Sequence, residues 1–170
     1  MFKVLQLCCF TNFFPDKFHV ENWDIVNGSN IFSMPIYYGT AFDLIIAAPP
    51  CTHFTKANTR YRLDNPVLDI AIAKRCLLIC LSSRSNWVLE NPPGRIEKFI
   101  PELTKFRVLT WKSSTTKKEE VVYSNCLITQ TSRPRYCGKP FHDNAPKLKR
   151  LEFEPEFIRD IYSSIFPGLN

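Results

Sequence analysis

Apolar positions in this chain come in short unbroken runs separated by polar and proline-rich connectors. Phe2 to Phe10 carries Val4, Leu5, Leu7, Cys8 and Cys9 and predicts a first strand. His19 to Asp24 predicts a second. Leu44-Ile45-Ile46 shows no polar alternation, the pattern of a central parallel strand covered on both faces. Trp87-Val88-Leu89 repeats it. Between these two runs, Val67 to Leu81 is apolar around most of its circumference, broken by Asp69, Lys74 and Arg75. That is a helix packed on the sheet, with Asn65 as cap, Pro66 in the first turn and a right-handed parallel crossover. Arg95 to Phe99 predicts a short helix that Pro101 stops. Phe106 to Trp111 and Glu119 to Tyr123 predict two antiparallel neighbours joined by the polar turn Lys112 to Lys118. Glu154-Pro155 opens a last helix with Phe157, Ile158, Ile161 and Ile165 on one face. The expected class is α/β: one domain over 1–170, a mostly parallel sheet with an antiparallel edge, and helices on both faces.

Two of the apolar runs end on paired prolines, and chemistry-bearing residues stand there. The run at 44–46 meets Pro49-Pro50, and Cys51 follows. Proline cannot donate to a ladder and restricts the residue before it, so the strand stops abruptly. Open α/β sheets place ligands at the carboxyl ends of such strands. Cys51 therefore reads as a nucleophile at the sheet rim, with a buried core cysteine as the alternative. The run at 87–89 ends in Glu90-Asn91-Pro92-Pro93-Gly94. Neighbouring strands ending this way would bring Cys51 and Glu90 to one rim, a nucleophile beside a proton donor. Glu90 can otherwise cap the helix at Arg95 to Lys98 or stand as a solvated strand end.

The pair of motifs resembles the DNA cytosine-5 methyltransferase family, most closely its short phage-encoded members. Pro49-Pro50-Cys51-Thr52-His53-Phe54 is similar to their Pro-Pro-Cys-Thr-His-Phe signature, and Glu90-Asn91-Pro92 to Glu-Asn-Pro. Val121-Val122-Tyr123-Ser124-Asn125 resembles the Asp-x-Trp-x-Asn segment. Arg135 to Pro146 resembles a Cys/His/Ala-Pro loop of the phage group. Gln130-Thr131-Ser132-Arg133-Pro134-Arg135 is similar to Gln-x-Arg-x-Arg with one residue more. The resemblance implies a Rossmann-like S-adenosylmethionine-dependent methyltransferase sheet. It implies that Cys51 attacks C6 of a cytosine while protonated Glu90 hydrogen-bonds N3. C5 then takes a methyl group from S-adenosylmethionine, and loss of the C5 proton releases the cysteine.

The same resemblance implies further sites. Leu7, Cys8, Asp24, Asn30 and Pro49 stand where the family binds its cofactor. Pro50, Thr52, Lys56, Arg60, Arg62, Asn91, Arg133 and Arg135 stand where it meets nucleic acid. The loop from Thr52 to Arg62 is polar and basic, as phosphate contacts require, and Tyr61 can stack on a base. The first loop departs from the pattern. No glycine occurs before Gly28, Gln6 stands where the family has an acid, and Phe10 and Asn12 stand where it has glycines. An alternative reading follows: a catalytically inactive nucleic-acid-binding or interaction protein on the same scaffold, without its cofactor pocket. A third is a cysteine enzyme with another reaction on a pyrimidine.

Bulk properties narrow the classes without choosing among these. A hydrophobic share of 45% and a charged share of 22% suit a globular chain of 170 residues with a proper core. A net charge of +6 favours an anionic partner: DNA, single-stranded DNA or a pyrimidine nucleotide. Seven cysteines without framework spacing suit a reducing compartment, and Cys8, Cys9, Cys76 and Cys80 read as core thiols. Cys126, Cys137 and His142 lack a Cys-x-x-Cys pair, so no metal is expected. With no leader and no membrane-length apolar stretch, the expectation is cytoplasmic, in the bacterial host if phage-encoded. The length leaves no room for a separate target-recognition domain, so low sequence selectivity is expected.

Overall fold

Strands Phe2–Leu7 (β1), Phe18–Trp23 (β2), Leu44–Ala47 (β3), Asn86–Asn91 (β4), Arg107–Lys112 (β5) and Glu119–Ser124 (β6) join into one mixed sheet. The computed structural model describes residues 1–9, 14–55, 66–114, 118–131 and 154–168. The strand order is β2-β1-β3-β4-β6-β5. β1 pairs in parallel with β2 and β3, and β3 in parallel with β4. β6 is antiparallel to both β4 and β5. The antiparallel strand therefore lies one place in from the edge, and β5 forms the edge itself. The two strands expected to be antiparallel neighbours are so, but β6 rather than β5 reaches β4.

Composition explains that exchange. β6 buries Glu120, Val121, Val122, Tyr123 and Ser124, a run fit only for an interior place. β5 buries only Trp111 and carries Arg107 and Lys112 at its ends, which suits an exposed edge.

Side chains of the central strands divide by the two-residue period of a pleated strand. Leu5, Leu7, Ile45, Ala47, Trp87, Leu89, Val121 and Tyr123 join one apolar cluster. Helix α1, Val67–Ser82, contributes Ala73, Cys76, Leu77, Ile79 and Cys80 to it. Val4, Leu44, Ile46, Val88 and Val122 join a second cluster with Trp111. There the partners are Phe157, Ile158 and Ile161 of the last helix, Pro155–Ile165. Buried Asp160 of that helix accepts from Trp111 Nε1 at 2.9 Å, which fixes the helix over β5.

The helix after β3 starts as expected, although Pro66 rather than Asn65 takes the cap position, and Asn65 lies outside the described residues. The short helix α2 spans Ile96–Phe99. Pro101 does not simply stop it: Pro101–Phe106 forms a further 3-10 helix, since proline at a first helical turn loses no bond. Among the described residues no helix is long and apolar enough to cross a membrane.

Candidate active site

β3 and β4 run side by side with Ala47 opposite Leu89, so the chain leaves both strands at the same rim. Beyond Ala47 the backbone turns at Pro49-Pro50 and delivers Cys51 one residue later. The Cys51 carbonyl accepts from the amides of Phe54 and Thr55, both at 2.9 Å, closing a tight turn over Thr52 and His53. Phe54 plugs that turn into the α1 cluster and is fully buried.

Four contacts clamp this turn to the end of β4. Asn91 Nδ2 donates to the Pro49 carbonyl at 3.0 Å. The Arg95 amide donates to the Phe54 carbonyl at 2.8 Å, and its guanidinium donates to the His53 carbonyl at 3.1 Å. Thr55 bridges to Gly94. A Cβ on Gly94 would stand 2.0 Å from the Phe54 carbonyl oxygen, so only glycine permits this approach. His53 Nδ1 lies 2.7 Å from Asp69 Oδ2 in the first turn of α1, which ties the turn to that helix.

Cys51 is half-buried and belongs to neither apolar cluster, so it is not a packing cysteine. Burial pushes its thiol up to about 12, with the nearby Glu90 and Glu120 carboxyls adding to the rise. Its own backbone amide and Lys118 pull the other way. Glu90 is 7% exposed, so it is neither a helix cap nor a solvated strand end. Burial first, then the Glu120 carboxyl, raise its affinity for a proton well above the usual carboxylate range. Cys51 and Glu90 thus stand at the ends of neighbouring parallel strands, the first half-buried and the second buried.

The other expected positions divide. Leu7 is wholly buried among the α1 cluster. Cys8 follows it with φ of 58°, a left-handed conformation that favours glycine, and its sulfur lies 3.9 Å from that of Cys76. Asp24 is buried and caps the 3-10 turn Ile25–Asn27, accepting from the Val26 amide at 2.9 Å. Asn30 is exposed and accepts from the Phe32 amide at 2.9 Å. Pro50 is half-buried and Thr52 exposed beside Cys51. Lys56, Arg60, Arg62, Arg133 and Arg135 lie outside the described residues, as do Tyr61, Cys137 and His142. Asn125, the last residue of the Asp-x-Trp-x-Asn likeness, pins the start of β4: it accepts from the Trp87 amide at 2.9 Å and donates to the Ser85 carbonyl at 3.0 Å.

Sequence reasoning missed a set of buried polar groups at the same rim. Both amide atoms of Gln6, and Oδ1 of Asn22, Oδ1 of Asn91 and Oε2 of Glu90 and of Glu120, are buried without a hydrogen-bond partner. Gln6 stands in register with Asn22 and Ile46, and Ile46 with Val88, two residues before Glu90. Orphaned groups of this kind are rare in folded proteins and mark where a polar ligand can supply the missing partner. Glu120 had a signal in the sequence: it lies two residues from Val122 in a strand and so shares its face. No protein-family model matches the chain, and no curated protein matches it.

Proposed function

We propose that the protein is a DNA cytosine-5 methyltransferase-like enzyme acting through Cys51 and Glu90 on a Rossmann-like, S-adenosylmethionine-dependent scaffold. The observation that carries this is the parallel register of β3 and β4, which leave the sheet at one rim with Cys51 beyond the end of one strand and the buried Glu90 carboxyl at the end of the other. The scaffold reading is supported by three parallel strand pairs, an antiparallel strand set between β4 and the edge, and apolar clusters carrying a helix apiece.

Each residue has a task in this chemistry. Burial and the Glu120 carboxyl raise the proton affinity of Glu90 well above the usual carboxylate range, and in its protonated form it donates to a ring nitrogen and offsets the negative charge that develops there. Cys51 stays a thiol until a base displaces water and the developing charge has a donor, which limits side reactions. Asn91 and Gly94 hold the turn that carries the sulfur against the strand that carries the acid. The unpartnered amide group of Gln6 and amide oxygen of Asn22, at the carboxyl ends of β1 and β2, fit the polar parts of a nucleotide-type cofactor. Asp24, whose Oδ1 caps a turn, stands beside them. S-adenosylmethionine, when bound, supplies the methyl group for C5. The target base must leave its stack, at about a few kcal/mol from a duplex and less from a single strand.

The test is covalent trapping. A single-stranded oligonucleotide carrying 5-fluorocytosine, incubated with S-adenosylmethionine, is expected to give a denaturation-resistant adduct with the wild type and none with Cys51→Ala. No adduct from wild type overturns the reading. One observation favours the binding-protein alternative: the Asp24 and Asn30 side chains are engaged in local caps, and Leu7 is packed in the core. Calorimetry with S-adenosylmethionine separates the two, since the alternative expects no heat of binding.

A further inference from the structure

We propose that Glu120 is a positioning residue that keeps Glu90 in its hydrogen-donating form: the two carboxyls share one proton, and the remaining negative charge rests on Glu120 against Lys118. This rests on the reading of Glu90 as the acid that faces the substrate.

The strand register supplies the geometry. β4 and β6 are antiparallel with Glu90 opposite Val122, so Glu120 is the diagonal neighbour of Glu90 on the same face. Both carboxyls are removed from solvent, at 7% and 2% exposure. Each has one oxygen, Oε2, with no donor. An ionised carboxylate only accepts hydrogen bonds. Two facing carboxylates would leave both oxygens orphaned and two like charges in a dry site. A single proton removes both problems: the protonated group donates to the other, and one charge is gone. The shared proton would lie between these two buried, unpartnered oxygens.

Lys118 decides which oxygen keeps the charge. Its Nζ lies 3.0 Å from Glu120 Oε1, and both side chains are largely buried. The ammonium stabilises the anion on Glu120, so the proton settles on Glu90. One proton, two carboxyls and one ammonium leave the cluster with no net charge. Other titratable groups face it from every packed element. Cys51 comes from the corner after β3 and Cys9 from the end of β1. Glu154, at the entry to the last helix, acts on Lys118 and accepts from Ser113 Oγ at 2.5 Å. Gln6 and Asn91 add buried, unpartnered amide oxygens at the same rim.

Infrared absorption of the protonated carboxyl group tests this without reference to activity. Near pH 8 exposed carboxyls are ionised, so a persisting protonated-carboxyl band reports the shared proton. The wild type is expected to keep that band at pH 8, and Glu90→Gln to lose it. Glu120→Gln should titrate its band away about one pH unit or more lower, because the like charge is gone. Lys118→Gln should move the titration upward, because the cation is gone. A merely structural Glu120 would give none of these opposed shifts. A wild-type band absent at pH 8, or one that Glu120→Gln and Lys118→Gln leave unmoved, overturns the proposal. Should Glu120→Gln fail to fold, the Lys118→Gln titration decides alone. Opposed shifts with no 5-fluorocytosine adduct would sink the methyltransferase reading while leaving the shared proton standing.

Discussion

Burial works against Cys51 as a resting nucleophile, and that has a measurable consequence. A thiol moved from its ordinary 9.0 up to about 12 holds about a thousandfold less thiolate at any pH below 9. Iodoacetamide labelling of Cys51 at pH 8 should therefore run about three orders of magnitude slower than that of a small-molecule thiol. A rate like the free thiol's would show the sulfur to be solvated and unsuited to the proposed role. Glu90 gives a second prediction. Its folded-state proton affinity is raised above the unfolded value of 4.5, so the native state keeps a proton that the unfolded state releases. That contribution to stability is complete below pH 4.5 and is lost as pH rises toward the folded-state value. The wild type should lose about 1.4 kcal/mol per pH unit in this window, and Glu90→Gln should flatten the slope. Parallel stability curves in denaturant at pH 5 to 8 would contradict it. Cys51 and Glu90 were legible because proline corners advertise a rim position. Glu120 was harder to read, because β6 is buried on both faces and its two valines mask the alternation that tells Glu119 from Glu120.

The turn at Cys51–Thr55 is clamped to the Gly94-Arg95 segment through backbone contacts. Gly94→Ala puts a methyl group 2.0 Å from a backbone oxygen, which no rotamer change can relieve. The turn must move away from β4, carrying the sulfur with it. Displacement of about 1 Å commonly costs about a hundredfold in rate. We expect adduct formation to slow by about that factor, with a stability loss above about 1 kcal/mol in thermal unfolding. Full adduct rate in Gly94→Ala would show that the clamp does not position the thiol. Strands were readable because interior parallel strands are apolar on both faces: β1 falls within the run at 2–10, and β3 and β4 contain the runs at 44–46 and 87–89 and extend past them by one to three residues. The clamp was not readable, because it consists of carbonyl and amide contacts whose partners lie some 40 positions apart, as Arg95 and His53 do. The turn chemistry at Pro101 was read as an ending where the backbone makes a 3-10 start.

Sheet order was only partly implied by the sequence. Parallel pairing of the strands on either side of α1 follows from the helix between them, but nothing local states that β6 should pass β5 to reach β4. The choice is made by competition for burial, which the run Val121-Val122-Tyr123 wins over a strand that carries Arg107 and Lys112. Charge sets the remaining question, where an anionic strand would lie. The chain carries +6 overall, and the expected contacts Arg133 and Arg135 fall in a basic stretch outside the described residues. If both meet phosphates of a single strand, each displaces counterions on binding. The logarithm of the binding constant then falls with the logarithm of salt by about 0.7 per contact. The double variant Arg133→Ala, Arg135→Ala should bind a single-stranded oligonucleotide more weakly at low salt, with a slope shallower by about 1.4 in fluorescence anisotropy titrations. A loss of affinity with the slope unchanged would mean that the arginines act on the fold or on the base, not on the backbone of the bound strand. No change in either would move the proposed nucleic-acid contacts to the basic loop that holds Lys56, Arg60 and Arg62, whose joint replacement then has to lower the slope instead.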